Sequence, residues 1–372
     1  MQRGVGLWPR MTSILARLPL TPCVHSSARW RRCSINHRRM EPSMNQTRWD
    51  HTRIPPQNGK LAVVTGANSG LGWHISLQLA RQGAHVVMAC RDKARALQAM
   101  EAIRAEVPGA RLSFQALDLA NQQSVSACAA ALSAAHSHID LLVNNAGVMF
   151  LPYALSADGF EIQMACNHLG HFLLTGLLLG PLGRASAPRV VTMSSGFNHY
   201  GRLPQEGFRG SPRYSRHRAY CDTKLANIVF ARELASRLAG ARSHIVSVAA
   251  HPGYASTNLQ FGAANVSASR WLASLNRAAM RVSNALLAQP ASMGALPALY
   301  AATDSGVKNG DYFGPDGLQE SRGYPKLVDA PRRALAADEV ARFWALSEAA
   351  TGFSYGDATL GRESGHGAVR LR

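Results

Sequence analysis

Tyr220 and Lys224 stand four residues apart in A-Y-C-D-T-K-L-A-N, a spacing that puts both side chains on one face of a helix. An ammonium beside a phenol suits proton transfer to or from a substrate oxygen. A free phenol titrates near 10, too high for a base at neutral pH, and a neighbouring cation favours the phenolate. Upstream, T-G-A-N-S-G-L-G sets Gly66, Gly70 and Gly72 among Asn68, Ser69 and Leu71. Where such a run leaves a strand and opens a helix, glycine permits the tight turn and lets backbone N–H groups approach a pyrophosphate. The helix N-terminus adds partial positive charge. A turn that holds no ligand is the plainer alternative.

These residues need rigid elements to hold them. From Lys60 onward the chain alternates short apolar runs with amphipathic stretches. Strands are expected at 61–65, 84–89, 112–117, 139–143, 189–193 and 245–250, and helices at 70–82, 93–106, 121–135, 157–180 and 218–240. Strands separated by helices predict right-handed βαβ crossovers and a parallel sheet covered on both faces. The expected fold is a doubly wound α/β sheet, one domain over 57–350. Residues 196–218 and the stretch from Tyr254 to about Pro290 interrupt the alternation, and both should stand above the carboxyl ends of the strands, where the ligand crevice of such sheets lies. They are the expected substrate walls and lid.

The second strand ends in M-A-C-R-D, with Cys90 and Arg91 where a carboxylate for a free ribose 2′-hydroxyl would stand. A guanidinium there can pair with a 2′-phosphate, so NADP(H) is expected, with NAD(H) as the alternative. The competing reading is a solvent-facing Arg91 with Asp92 as a helix cap. Asp118, after the third strand, either holds an adenine amino group or caps the helix beginning near Asn121.

The formal charge of +18 is unevenly spread: residues 1–40 hold eight arginines and no acid, leaving +10 for the rest. A nucleic-acid partner is therefore not expected. Residues 1–43 read as a basic leader outside the fold, a disordered or non-native extension in preference to a mitochondrial transit segment, and 351–372 as a mobile tail. The expected compartment is cytoplasmic, or the mitochondrial matrix if the leader is a true transit peptide. No stretch approaches the roughly 18 apolar residues of a membrane span. The six cysteines form no C-x-x-C pair and read as reduced thiols. His168 and His171, at i and i+3 without a carboxylate nearby, read as helix packing rather than metal ligands, and His251 as a packed strand-end residue.

The chain resembles the classical short-chain dehydrogenase/reductase family, and within it the retinol dehydrogenase branch. The motifs are T-G-A-N-S-G-L-G (65–72), D-L (118–119), N-N-A-G (144–147), N-H-L-G-H-F (167–172), S-S-G (194–196), Y-C-D-T-K (220–224) and H-P-G-Y-A-S-T (251–257), in family order over about 300 residues. The resemblance implies a Rossmann fold and a catalytic tetrad of Asn167, Ser195, Tyr220 and Lys224. Tyr220 would be the acid/base and Ser195, in preference to Ser194, would hydrogen-bond the reacting oxygen. Asn167 would hold a water linking Lys224 to solvent, or else brace the backbone. Leu119, Asn144, Ala146 and Gly147 would lie along the cofactor, and Pro252, Gly253 and Thr257 beside its nicotinamide. Homodimers or homotetramers are common in the family.

The expected function is NADP(H)-dependent interconversion of an alcohol with an aldehyde or ketone. The apolar residues Leu259, Phe261, Val266, Trp271, Leu272 and Leu275 of the second insertion suggest a bulky apolar substrate. Arg202, Arg209, Arg213, Arg216 and Arg218 in the first insertion read as a solvated loop, against a sharper reading in which they favour a carboxylated substrate. Two other functions compete: reduction of a tetrapyrrole carbon–carbon double bond, as in protochlorophyllide reductase, and a non-catalytic nicotinamide redox sensor.

Overall fold

The strand L-A-V-V-T is apolar at four of its five positions, and as β1 (Leu61–Thr65) it is buried at all five, as a strand covered on both faces must be. A computed structural model describes the protein at residues 48–210, 213–254 and 289–356. Around β1 lie β2 (His85–Cys90), β3 (Leu112–Ala116), β4 (Leu141–Asn144), β5 (Arg189–Met193), β6 (Val246–Ala250), β7 (Tyr312–Pro315) and β8 (Pro325–Leu327). They form one sheet in the order β3-β2-β1-β4-β5-β6-β7-β8. All neighbours are parallel except β7 and β8. The order reverses between β1 and β4, and a crevice opens at such a switch point beyond the carboxyl ends of the strands.

Three crossover helices follow the first strands: α1 (Gly70–Arg81), α2 (Lys93–Glu106) and α3 (Gln122–Ala135). The Asp92 carboxylate accepts the Arg95 N–H, and Asn121 accepts that of Ser124. Asn121, and not Asp118, therefore caps α3. Apolar clusters cover both faces of the sheet. One joins Ile75, Leu79 and Met100 to the strands, and the other joins Val125, Leu132, Phe172 and Trp344.

Four expectations need correction. The helix expected over 157–180 begins only at α4 (Ile162–Met164), passes through a π-helical turn at Ala165–Leu169 and continues as α5 (Gly170–Leu177), with a short α6 (Leu179–Gly183) after it. Its expected first turn is instead a bridge between Leu155 and Glu161, and the buried Glu161 carboxylate caps α4 by accepting the N–H groups of Gln163 and Met164. The sheet is not wholly parallel: β7 and β8, too short and too rich in proline and glycine to show a period, add an antiparallel edge. Trp49 and Ile54 are buried, with Trp49 edge-on to Tyr300 at 5.1 Å, so the compact unit begins at Arg48 rather than 57.

At the other end, Tyr355 is fully buried. The packed region thus passes 350, and the tail expected from 351 docks as far as it is described, to Gly356. The leader at 1–43, the remaining tail at 357–372, and residues 255–288 lie outside the described residues. Those last include Thr257 and the lid residues Leu259, Phe261, Val266, Trp271, Leu272 and Leu275. Among the described residues no helix is long and apolar enough to cross a membrane.

Candidate active site

Ser215 caps α7 (Arg216–Gly240) by accepting the Arg218 N–H. The helix carries Tyr220 and Lys224 inward from that end to 7% and 5% exposure. The ammonium lies 5.6 Å from the centre of the Tyr220 ring and donates to the Met193 carbonyl at 3.4 Å. Burial drags the ammonium down to about 8. Burial likewise pushes the Tyr220 phenol up to about 12, and a hydrogen bond with the Ser195 side chain pulls it back.

Both serines stand just beyond β5, but their hydroxyls do different work. The Ser194 hydroxyl donates to the Lys224 carbonyl at 2.7 Å, which commits it to the backbone of α7. Ser195 faces Tyr220. Its backbone is braced from behind, since the Asn198 amide donates to the Ser195 carbonyl and to the Tyr312 hydroxyl.

Asn167 sits in the π-helical turn, fully buried. Its amide oxygen accepts the Val148 N–H at 2.7 Å, and its nitrogen donates to the Val148 carbonyl and the Thr223 hydroxyl. That is the bracing geometry. It ties the exit of β4 to the middle of the turn Tyr220–Lys224. The His171 ring bridges the Asn167 carbonyl and the Thr65 hydroxyl, and the His168 ring meets Ser347. Burial drives these rings down to about 4 and about 3, so both are neutral packing groups. Among the described residues no cluster of His, Cys, Asp or Glu could hold a metal.

A cleft of about 560 Å³ runs over the carboxyl ends of β1, β2 and β4. Gly66, Asn68, Ser69, Gly70, Leu71, Gly72, Arg91, Asp118, Leu119, Ala146 and Gly147 all line it. Asn144 does not. It turns inward, donates to Thr175 at 2.9 Å, and leaves its neighbour Asn145 on the cleft. Thr65 holds that neighbour in place, its hydroxyl accepting the N–H groups of Asn145 and Ala146. Neither the role of Asn145 nor that of Thr65 was read from the sequence, although the outward turn of a residue after a buried strand was a signal for the first.

The cleft fits an extended phosphate-bearing group. Gly66 has φ +64, and a Cβ there would lie 2.9 Å from Ala146; a Cβ on Gly72 would lie 2.4 Å from the Gly66 carbonyl. A Cβ on Gly147 would lie 3.2 Å from the Asn167 amide and 3.5 Å from the Lys224 ammonium. Glycine at these positions keeps the floor open between the Gly66–Gly72 turn and Lys224. Arg91 is exposed on the cleft, joined by Arg95 from the first turn of α2, a position that no motif marks. Asp92 faces Arg95 at 3.9 Å as well as capping α2. Pro252 and Gly253 follow β6, beside the serine pair, since the Ser194 N–H donates to the Ala250 carbonyl.

In the first insertion Arg202, Arg209, Arg213 and Arg218 are exposed, and Arg218 is paired with Asp222 at 3.2 Å. A solvated face accounts for them. Two aromatic rings border the phenol instead, and a third backs one of them. Phe150 and Phe197 lie 5.2 and 6.0 Å from the Tyr220 ring, and His217 tilts against Phe150 at 4.4 Å.

Fold and cleft together define a doubly wound α/β domain with a glycine-lined turn at its switch point, and the ammonium of Lys224, one helical turn from the buried Tyr220, lies behind Gly147 of the cleft. The model of the short chain dehydrogenase family matches residues 60–265, and the chain belongs to that family. Mouse retinol dehydrogenase 14 is 38% identical over 308 residues, 79% of this chain and 86% of that protein. Bovine retinol dehydrogenase 12 is 43% identical over 201 residues, 54% of this chain, and the chain spans 63% of that relative's length. A crystal structure of an uncharacterized protein from Mycobacterium paratuberculosis superposes with a TM-score of 0.67 at 38% identity, covering 83% of this chain and 99% of its own.

Proposed function

We propose that this chain catalyses the NADP(H)-dependent interconversion of an alcohol with an aldehyde or ketone, with Tyr220 as acid/base. The observation that carries the reading is the buried phenol, hydrogen-bonded to Ser195 and flanked by Lys224, whose ammonium lies behind Gly147 of the glycine-lined cleft. The turn Gly66–Gly72 would hold the pyrophosphate, Asp118 and Leu119 the adenine end, and Ala146 and Gly147 the sheet side. Arg91, with Arg95 beside it, offers positive charge to a 2′-phosphate. When bound, the nicotinamide gives or accepts the hydride.

The chain's own residues handle the proton. With its pKa near 12, Tyr220 is protonated at neutral pH and ready to donate to a carbonyl oxygen as negative charge develops there. Ser195 supplies a second hydrogen bond to the same oxygen, and charged Lys224 stabilises the phenolate left behind. Asn167 acts as a strut that keeps Val148, Thr223 and therefore Lys224 in register. The rings of Phe150 and Phe197 around the phenol favour an apolar group on the substrate.

The test is nicotinamide absorbance with NADPH or NADH and carbonyls from short aliphatic to long apolar aldehydes. Tyr220→Phe should lower kcat by roughly 10²- to 10⁴-fold. Arg91→Ala should raise KM for NADPH about tenfold and leave that for NADH nearly unchanged. Absence of NADPH oxidation with every carbonyl would refute the proposal, and equal effects of Arg91→Ala on both cofactors would remove the preference for NADP(H).

A further inference from the structure

His251 follows β6 and is buried to 1% exposure. Its Nε2 lies 3.0 Å from the Glu320 carboxylate, and its Nδ1 accepts the Gly253 N–H at 3.3 Å. An acceptor at Nδ1 requires the proton on Nε2, where it is donated to the carboxylate, so the two bonds select one tautomer. The hydrogen bond from His251 holds the Glu320 carboxyl below the usual carboxylate range. It therefore stays charged at neutral pH, and the bond is charge-assisted. Lys326 and His199 face the same carboxylate and favour the same state.

The segment that supplies Glu320 is held under strain. Gln319 and Glu320 have φ of 49° and 56°, a region that residues with side chains seldom occupy and keep only where surrounding contacts enforce it. Besides its own turn hydrogen bonds, the segment is tied to the Pro252–Tyr254 turn. Tyr254 N–H donates to the Ser321 carbonyl at 2.6 Å. Gln289 donates to the Pro252 carbonyl and accepts the Gly323 N–H. Gly253, at φ +64, sits so close that a Cβ would lie 2.4 Å from the Ser321 carbonyl. This turn leaves β6 beside Ser194 and Ser195.

We propose that Glu320, acting through His251, is a positioning residue of the active site that clamps the Pro252–Tyr254 turn beside Ser195. Glu320 lies outside residues 60–265, the stretch matched by the family model, so the clamp is a contribution of the C-terminal part of the chain. Its catalytic consequence rests on the dehydrogenase reading. The clamp itself does not, because its hydrogen bonds run only between the chain's own residues.

The test compares the full-length protein with Glu320→Ala and Glu320→Gln by amide hydrogen exchange and by turnover. In the alanine variant the Gly253 and Tyr254 amides should exchange about tenfold faster, as expected for loss of one charge-assisted hydrogen bond, while β1 amides stay unchanged. With NADPH and an aldehyde, kcat should fall by a similar factor with a smaller change in aldehyde KM. The glutamine variant keeps an acceptor for Nε2–H, guards against a folding defect and should recover most of both losses. Unchanged exchange at Gly253 and Tyr254 in the alanine variant overturns the clamp. Faster exchange with unaltered kcat overturns its catalytic part. A wild type that turns over no carbonyl refutes the dehydrogenase reading instead, and the exchange result still decides the clamp.

Discussion

Lys224 is a cation held inside the fold at 5% exposure. An ammonium buried in the fold loses hydration, and its pKa falls to about 8 from about 10.4 in an unfolded chain. The folded chain therefore releases this proton first. Between about pH 8 and 10.4 the unfolded state binds more protons, so the stability contributed at this position rises with pH through that window and is lost as pH falls through 8. Lys224→Met, which removes the buried charge and keeps the stem, should be the more stable protein at pH 7. Its advantage, of the order of a few kcal/mol, should shrink steadily from pH 8 to 10 in denaturant titrations. A constant gap would mean that the ammonium is not held at the expense of the fold.

At the scale of elements, the site is assembled from the ends of strands and the starts of helices. The exit of β1, the first turn of α1 and the exit of β4 meet at glycines, because only a residue without Cβ fits between their backbones. Gly72→Ala places a methyl group 2.4 Å from the Gly66 carbonyl, a backbone atom that cannot swing aside. The substitution should destabilise the protein by about 1–3 kcal/mol. It should also weaken NADPH binding by more than it weakens kcat, measured by thermal melts and by quenching of protein fluorescence on titration with NADPH. A melt and an affinity equal to wild type would show that α1 can move away from β1 without cost. The break in the expected 157–180 helix belongs here too. A period can show that residues are helical, but Glu161 decides where the helix starts, because its carboxylate reaches back to cap the first N–H groups.

Across the whole molecule, the C-terminal helix α10 (Ala337–Thr351) and the residues after it close the core around α5 and α7. The shorter helices α8 (Ala291–Gly294) and α9 (Leu296–Thr303) pack on the other face. Tyr355 donates to the Phe172 carbonyl at 2.7 Å, and its ring lies 4.8 Å from Phe172 and 4.9 Å from Trp344. Tyr355→Phe keeps the rings and removes this hydrogen bond, which should cost about 0.5–1.5 kcal/mol in urea unfolding with little change in kcat. A cost near zero would mean that the hydroxyl is dispensable to the docking.

The local and periodic features were legible in the sequence. Tyr220 and Lys224 sit on one helix face because i and i+4 always do, β1 to β6 appear as apolar runs of the right length, and a glycine turn between a strand and a helix has one plausible geometry. Residue type alone does not choose between neighbours, and only the family resemblance favoured Ser195 over Ser194. Ser194 and Ser195 are alike in composition, and only the packing of α7 against β5 turns one hydroxyl to the Lys224 carbonyl and the other to the phenol. Asn144 and Asn145 are identical side chains, and Thr175 and Thr65 on different elements send the first into the core and the second to the cleft. Glu320 and His251 are 69 positions apart and carry no shared period. Contacts of that separation depend on how strands are ordered in the sheet, and that order is settled only when the whole chain has packed.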